Sequence, residues 1–239
     1  MAESDDPSSV VADLERALRG TGNVVVGVRQ DQWTDATPCP DWDVRALVNH
    51  LVFGSRTFTG ILRGEKPPPQ SEIRTMRDRD QLGDDPVGAY RGSADKLVVA
   101  PRQPGVLART FPSPLGRIPG AAIGQLRITE TLVHGWDLAR ATGQRMPFED
   151  DLARSALEFT LRRLPPGASR ASFAFGPELE APESAPAIDR LAAHLGRRGG
   201  LVDPGHDGRQ ARRGADGAAV PAHGNASEPA GRSTYGHRP

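Results

Sequence analysis

The sequence predicts an all-α protein, a bundle of helices with one long crossover connection. Apolar residues recur at spacings of three and four in several segments, as they do on the buried face of a helix. The longest such segment runs from Gly120 to Gly143. Residues 64–85 form a polar, proline-rich connection, whereas about two to eight residues suffice to join antiparallel neighbours. The second and third helices, on either side of this crossover, are therefore expected to run parallel.

The composition excludes several classes of protein. With 30 basic and 30 acidic residues the net charge is zero, so no broad positive field favours nucleic acid. No apolar run approaches the ~18 residues that span a membrane, and the acidic start of the chain lacks the basic and apolar regions of a signal peptide. The single cysteine, Cys39, rules out a disulfide framework and is expected to be a small buried residue rather than a nucleophile. We expect a cytoplasmic protein that binds neither nucleic acid nor membrane.

The first helix is predicted over residues 8–27, where Gly20 and Gly22 weaken its continuity. The segment WTDATPCPDWDV that follows is expected to be a loop, because it combines two prolines with several aspartates. Its two tryptophans, Trp33 and Trp42, are expected to close the end of the bundle.

The second helix is predicted from Val44 to about Arg63, with Asp43 as its N-cap. His50 lies at the edge of the apolar stripe of this helix. A lone histidine in that position is more often a satisfied core or boundary residue than a metal ligand, so the helix by itself indicates no site.

The remaining elements are expected to be shorter or less regular. In order they are a third helix over 86–100, an extended piece around 106–111, the helix 120–143, a fifth helix over 149–164, a short strand at 172–175 and a last helix over 187–195. His194, near the end of the last helix, is expected at the surface.

The end of the chain differs in composition from the rest. Residues 197–239 contain nine glycines and four prolines but no Phe, Trp, Ile or Met. Such a segment buries too little apolar area to offset the entropy lost on ordering. We therefore predict a helical domain over residues 1–196 and a low-complexity, disordered tail over 197–239.

The helix 120–143 carries the polar residues that most need an explanation. Glu130 and His134 lie one turn apart on its apolar face, with Asp137 a further turn along. Burying such groups without partners costs about 2 kcal/mol or more each. A carboxylate at position i and an imidazole at i+4 direct an oxygen and a nitrogen to one place, as a divalent metal requires. The alternative is a surface pair or a satisfied buried hydrogen bond.

Two stretches, TPCPDWDVRALVNHL at 37–51 and ETLVHGWDLARATG at 130–143, resemble the metal-binding domain of mycothiol-dependent maleylpyruvate isomerases, within the DinB-like superfamily. The similarity covers roughly residues 8–196. The resemblance implies a DinB-like four-helix bundle with short C-terminal additions and a divalent metal held between helices. Carried over by position, the implied ligands are His50, Glu130 and His134.

These implied ligands suggest a chemistry. Two imidazoles and one carboxylate leave a coordination position open, which for zinc is typical of catalytic sites. Nickel is an alternative, because ligand type alone does not select among such ions. Asp137 could orient one of the ligands from behind, or it could form a salt bridge with Arg140 or Arg127. The site is expected at the floor of a cleft lined partly by the Trp42 loop and Trp136.

Three functions are compatible with such a site. The leading hypothesis is a thiol-dependent, mycothiol-type transferase or isomerase, in which the metal activates a low-molecular-weight thiol that reacts with a small organic substrate. The second is a metal-dependent hydrolase that uses activated water. The third is a non-catalytic metal-binding module of a stress response. Isomerases of this type also carry a sizeable second domain that completes the active site, so the resemblance supports the metal site more strongly than that enzyme's specific activity.

Overall fold

The computed structural model describes residues 7–40, 42–113, 116–166 and 176–198. These residues form seven α-helices and one two-stranded antiparallel sheet, in which Phe111 lies opposite Ile118. In chain order the elements are α1 (Pro7–Val26), α2 (Val44–Leu62), α3 (Gln70–Asp78), α4 (Pro86–Val99), β1 (Thr110–Ser113), β2 (Gly116–Pro119), α5 (Gly120–Thr142), α6 (Asp150–Arg163) and α7 (Ala187–His194). The predicted all-α class is confirmed, with the small sheet as its one strand feature in the described residues.

Helices α1, α2, α4 and α5 form a four-helix bundle. Helix α1 packs against α5 and α4, and α2 packs against the same two helices. The Tyr90 hydroxyl of α4 donates a hydrogen bond of 3.0 Å to the Leu18 carbonyl of α1. On the other side of α1, the Thr21 hydroxyl donates to the Thr131 carbonyl of α5 at 2.9 Å. The buried apolar side chains of these four helices belong to one continuous core.

The predicted parallel arrangement of the helices that flank the crossover is confirmed for α2 and α4. Arg45, in the first turn of α2, donates a hydrogen bond of 3.0 Å to the carbonyl of Gly83, three residues before α4 begins. The two helices therefore start at the same end of the bundle.

The crossover itself is not wholly irregular, because residues 70–78 form α3. Asn49 of α2 holds the end of this helix: its amide donates to the carbonyls of Arg77 and Arg79, and its side-chain oxygen accepts from the backbone of Gln81. Three prolines before α3 and the many charges within it conceal the helix in the sequence.

Local signals account for where the bundle helices begin and continue. The Asp43 carboxylate accepts a hydrogen bond of 2.7 Å from the Ala46 amide, so the predicted N-cap of α2 is confirmed. Helix α1 runs through Gly20 and Gly22 without a break, contrary to the expectation of weakened continuity. A Cβ at Gly20 would lie 2.9 Å from the ring of Phe148, so this glycine permits a close contact within the bundle.

Two expectations for the C-terminal part need comment. His194 is buried rather than exposed: its Nδ1 lies 2.8 Å from Glu178 Oε1 and its Nε2 lies 2.8 Å from the Leu164 carbonyl. The prediction of a surface position is wrong because α7 packs against α6 and α5. The expected strand at 172–175 lies outside the described residues, as does the expected tail apart from its first two residues.

None of the described helices is both long and apolar enough to cross a membrane.

Candidate metal centre

Three of the predicted site residues converge between α2 and α5. One ligand atom from each of His50, Glu130 and His134 lies within 4.8 Å of the other two. Glu130 Oε2 is 3.6 Å from His50 Nε2 and 3.4 Å from His134 Nε2. The i, i+4 spacing aligns two of the groups on α5, and the packing of α2 against α5 brings the third to them.

These separations fit a metal ion better than they fit hydrogen bonds. Nitrogen–oxygen hydrogen bonds are typically about 2.7–3.2 Å long. Donor atoms about 2.0–2.2 Å from a tetrahedral ion lie about 3.4 Å from one another. The donor set of two imidazole nitrogens and one carboxylate oxygen also suits zinc and related divalent ions.

The surroundings of the three groups set their protonation. Burial lowers the pKa of His50 to about 4, although interaction with Glu130 opposes this change. Burial acts on His134 in the same direction, but Asp137 and Glu130 outweigh it and raise the pKa of His134. Burial alone would raise the pKa of Glu130, and the interactions with His134 and His50 instead hold that pKa well below its ordinary range.

Asp137 orients His134 from behind and is itself held by an arginine. Asp137 Oδ2 lies 3.1 Å from His134 Nδ1 and accepts a hydrogen bond of 3.0 Å from Arg197 Nε. Because an ionised carboxylate only accepts hydrogen bonds, Asp137 places the proton on Nδ1 and leaves Nε2 facing Glu130. The expected alternative partners of Asp137, Arg140 and Arg127, are wrong.

Arg140 instead pairs with Asp189 at 3.0 Å. Trp136 is also directed there: its Nε1 donates to Asp189 Oδ1 at 2.6 Å, and its side chain is buried. The expectation that Trp136 lines the access to the site is therefore wrong. Its indole fastens α5 to α7.

Trp42 does lie at the entrance. Its ring stacks on the His50 imidazole with centroids 4.4 Å apart. On the other element beside it, α3, the guanidinium of Arg77 lies 5.5 Å from the centroid of the tryptophan ring. A cleft of about 900 Å³ opens beside this stack, between the start of α2 and α3, and His50 and Arg45 are among its lining residues. The cleft therefore gives small molecules a route to the His50 side of the cluster.

Arg127 is a further charged residue close to the cluster. Nothing in the sequence alone assigned it to the site. Its side chain is buried, and its Nε and Nη2 atoms have no hydrogen-bond partner. A Cβ at Gly54 would lie 2.6 Å from Arg127 Nη1, so the glycine of α2 makes room for the guanidinium. Phe58 lies beside the guanidinium, with 5.3 Å between Arg127 Cζ and the ring centroid. Gly54, one turn after His50, could have indicated that a large side chain packs against α2 here. The sequence does not show that this side chain is Arg127.

A four-helix bundle with a crossover between parallel helices, and a cluster of two histidines and one glutamate between two of its helices, is a DinB-like arrangement. The model of the mycothiol maleylpyruvate isomerase N-terminal domain family matches residues 14–139. The chain belongs to this family.

The chain also has relatives among known sequences and solved structures. An uncharacterized protein of Mycobacterium tuberculosis strain H37Rv is 31% identical over 183 residues, which cover 77% of this chain and 94% of that protein. A second uncharacterized protein of the same strain is 25% identical over 159 residues, or 59% of this chain and 60% of that protein. A crystal structure of the mycothiol-dependent maleylpyruvate isomerase superposes with a TM-score of 0.55 at 14% identity, over 66% of this chain and 69% of that one. A histidine-to-alanine mutant of that enzyme gives 0.57 at 13% identity over the same shares. At these identities the superpositions establish the fold alone.

Proposed function

We propose that the chain holds a divalent metal ion with His50, Glu130 and His134 and uses it to activate a low-molecular-weight thiol in a transfer or isomerisation reaction. The observation that carries this proposal is the spacing of the three ligand atoms, 3.4 and 3.6 Å from Glu130 to the two histidines. That spacing is longer than typical hydrogen bonds and matches the edge of a zinc tetrahedron. Zinc is the favoured ion, and nickel is compatible with the same ligands.

Each residue of the site has a defined part in this proposal. An ion held there supplies positive charge that lowers the pKa of a coordinated thiol toward neutrality. His50 is unprotonated at neutral pH because its pKa is lowered to about 4, so its Nε2 is free to bind. Asp137 keeps the proton of His134 on Nδ1, and Arg197 neutralises the buried Asp137 carboxylate. Trp42 stacks on the His50 ring and lines the cleft together with it.

The family supports a thiol as the cosubstrate. A solved structure of this fold is named a mycothiol-dependent isomerase. The cleft of about 900 Å³ is large enough for a small thiol together with a small organic substrate. A mycothiol-type thiol is therefore the proposed cosubstrate.

Titration of the cobalt-substituted protein with a small thiol tests this function. We expect a sulfur-to-cobalt charge-transfer band that saturates with thiol and is absent from Glu130→Gln, because loss of the anionic ligand weakens retention of the metal. Glu158→Gln, an exposed glutamate on α6, is the matched control and should keep the band. Thiol binding that survives complete removal of the metal would refute the proposed role of the ion.

A further inference from the structure

Arg127 is an unusual residue to find inside a helical bundle. Its side chain is 1% exposed, and neither Nε nor Nη2 has a hydrogen-bond partner. A buried guanidinium with two unpaired nitrogen atoms is unfavourable. Its cation–π contact with the Phe58 ring compensates only in part for the hydration free energy that the guanidinium loses on burial. A side chain that costs stability in this way calls for an explanation in terms of the site beside it.

Arg127 lies in the layer of the bundle next to the proposed ligands. It precedes Glu130 by one turn of α5, and Gly54 follows His50 by one turn of α2. Because a Cβ at Gly54 would lie only 2.6 Å from Arg127 Nη1, the guanidinium crosses from α5 to α2 one turn beyond the His50–Glu130 pair. Its positive charge is therefore felt by His50 and attracts Glu130.

The charges around the proposed ion do not balance without an additional anion. Asp137 forms an ion pair with Arg197. The charge of Arg127 offsets that of Glu130 through electrostatic attraction, without an ion pair between the two side chains. With both histidines neutral, these described side chains carry no net charge, and a divalent ion adds two positive charges to a partly buried site. A negatively charged ligand at the open position reduces this excess, whereas a neutral ligand leaves it unchanged.

We propose that Arg127 is a specificity-determining residue that makes the metal centre prefer an anionic exogenous ligand, such as a thiolate, over a neutral one. This inference rests on the proposed metal centre and deepens it. Arg127 does not bind the metal and acts through its charge alone. A unit charge one helical turn away in a protein interior changes the affinity for an anion by about tenfold or more.

The test compares an anionic and a neutral ligand of the cobalt-loaded protein. Azide and imidazole are titrated into the wild type, Arg127→Met and Arg127→Lys, and binding is followed through the visible cobalt spectrum. We expect Arg127→Met to lose about tenfold or more in azide affinity while imidazole affinity stays the same or rises. Arg127→Lys, which keeps the charge, should retain most of the azide affinity. Arg127→Gln provides a second neutral side chain if the methionine variant does not fold.

The outcomes separate this inference from the metal proposal. A wild type that binds no cobalt overturns the metal centre and the inference together. Cobalt binding with equal loss of azide and imidazole affinity in Arg127→Met overturns the inference alone, because it shows a structural role. Unchanged azide affinity in both neutral variants overturns it as well.

Discussion

His50 and His134 are identical in chemistry but differ in what surrounds their second ring nitrogen. The Nδ1 atom of His50 is buried without a hydrogen-bond partner, and burial lowers the pKa of that histidine to about 4. The Nδ1 atom of His134 is held by Asp137, which helps to raise the pKa of that histidine. One histidine is thus kept neutral and the other is kept oriented.

This difference predicts an optimum in the stability of the metal-free protein near pH 6.5, the pKa of an unfolded histidine. Above that pH, stability falls as the pH rises through the raised pKa of His134, because the folded state binds more protons than the unfolded state. Below it, stability falls toward pH 4, because the unfolded chain binds a proton that His50 lacks when folded. The second loss amounts to as much as about 3 kcal/mol.

Urea unfolding in the presence of a chelator, between about pH 4.5 and 8.5, measures this profile. This window lies above the acidic range in which protonation of Glu130, whose pKa is lowered in the folded state, would also reduce stability. His50→Gln should flatten the acidic side and His134→Gln the alkaline side. If both variants keep the wild-type profile, the two histidines do not have the protonation described above.

The packing of Gly54 against Arg127 predicts the effect of a single methyl group. Gly54→Ala places a Cβ 2.6 Å from Nη1 of a confined guanidinium and should destabilise the protein by about 1–3 kcal/mol. In an Arg127→Met background the cost should be smaller, since a flexible thioether can move aside. Gly92→Ala, in α4 with nothing within 4 Å of the added Cβ, is the control and should stabilise by about 0.5–1 kcal/mol. Equal costs of Gly54→Ala in both backgrounds would show that Arg127 is not the obstacle.

Helices with strong local signals could be predicted from sequence, and elements that depend on distant partners could not. Asp43 caps α2 through a hydrogen bond three residues away, so its role is visible locally. Helix α3 is held by Asn49, about twenty residues or more upstream, and its own composition suggests a loop. The convergence of Glu130 and His134 follows from helical periodicity. Adding His50 required the family resemblance, because nothing local distinguishes it from an ordinary core histidine.

The C-terminal boundary of the fold was also beyond prediction from local sequence. Arg197 is followed by a low-complexity segment rich in arginine and glycine, and nothing in the sequence separates it from that segment. In the fold its side chain is buried and holds the Asp137 carboxylate, which has no exposed surface. Arg197, just after α7, is thus connected through Asp137 to His134 on α5. We therefore expect the boundary between a necessary and a dispensable end to lie beside this residue.

Two truncated chains locate this boundary. A chain that ends after Arg198 should keep its melting temperature and metal content. A chain that ends after Gly196 leaves Asp137 buried without its cation, which costs about 3–5 kcal/mol and lowers the melting temperature by about 10 °C. Thermal unfolding followed by circular dichroism compares the two. Identical melting temperatures would show that Arg197 does not support the site.

At the scale of the whole fold, the described helices form a bundle in which α2 and α5 pack together over one polar cluster. The apolar core packs beside that cluster and extends through the bundle helices, so we expect the bundle to form without the ion. Metal binding and folding should therefore be separable. That separation allows the ligands to be tested without loss of structure.

The most direct test of the account is the metal content of the purified protein, measured by elemental analysis on the wild type, His50→Ala and Glu158→Gln. We predict about one divalent ion per chain in the wild type and in the Glu158→Gln control, and a loss of most of it in His50→Ala with the helical circular dichroism unchanged. A wild type that binds no divalent ion when dialysed against zinc, or a His50→Ala variant that keeps its full metal content, would contradict the central claim.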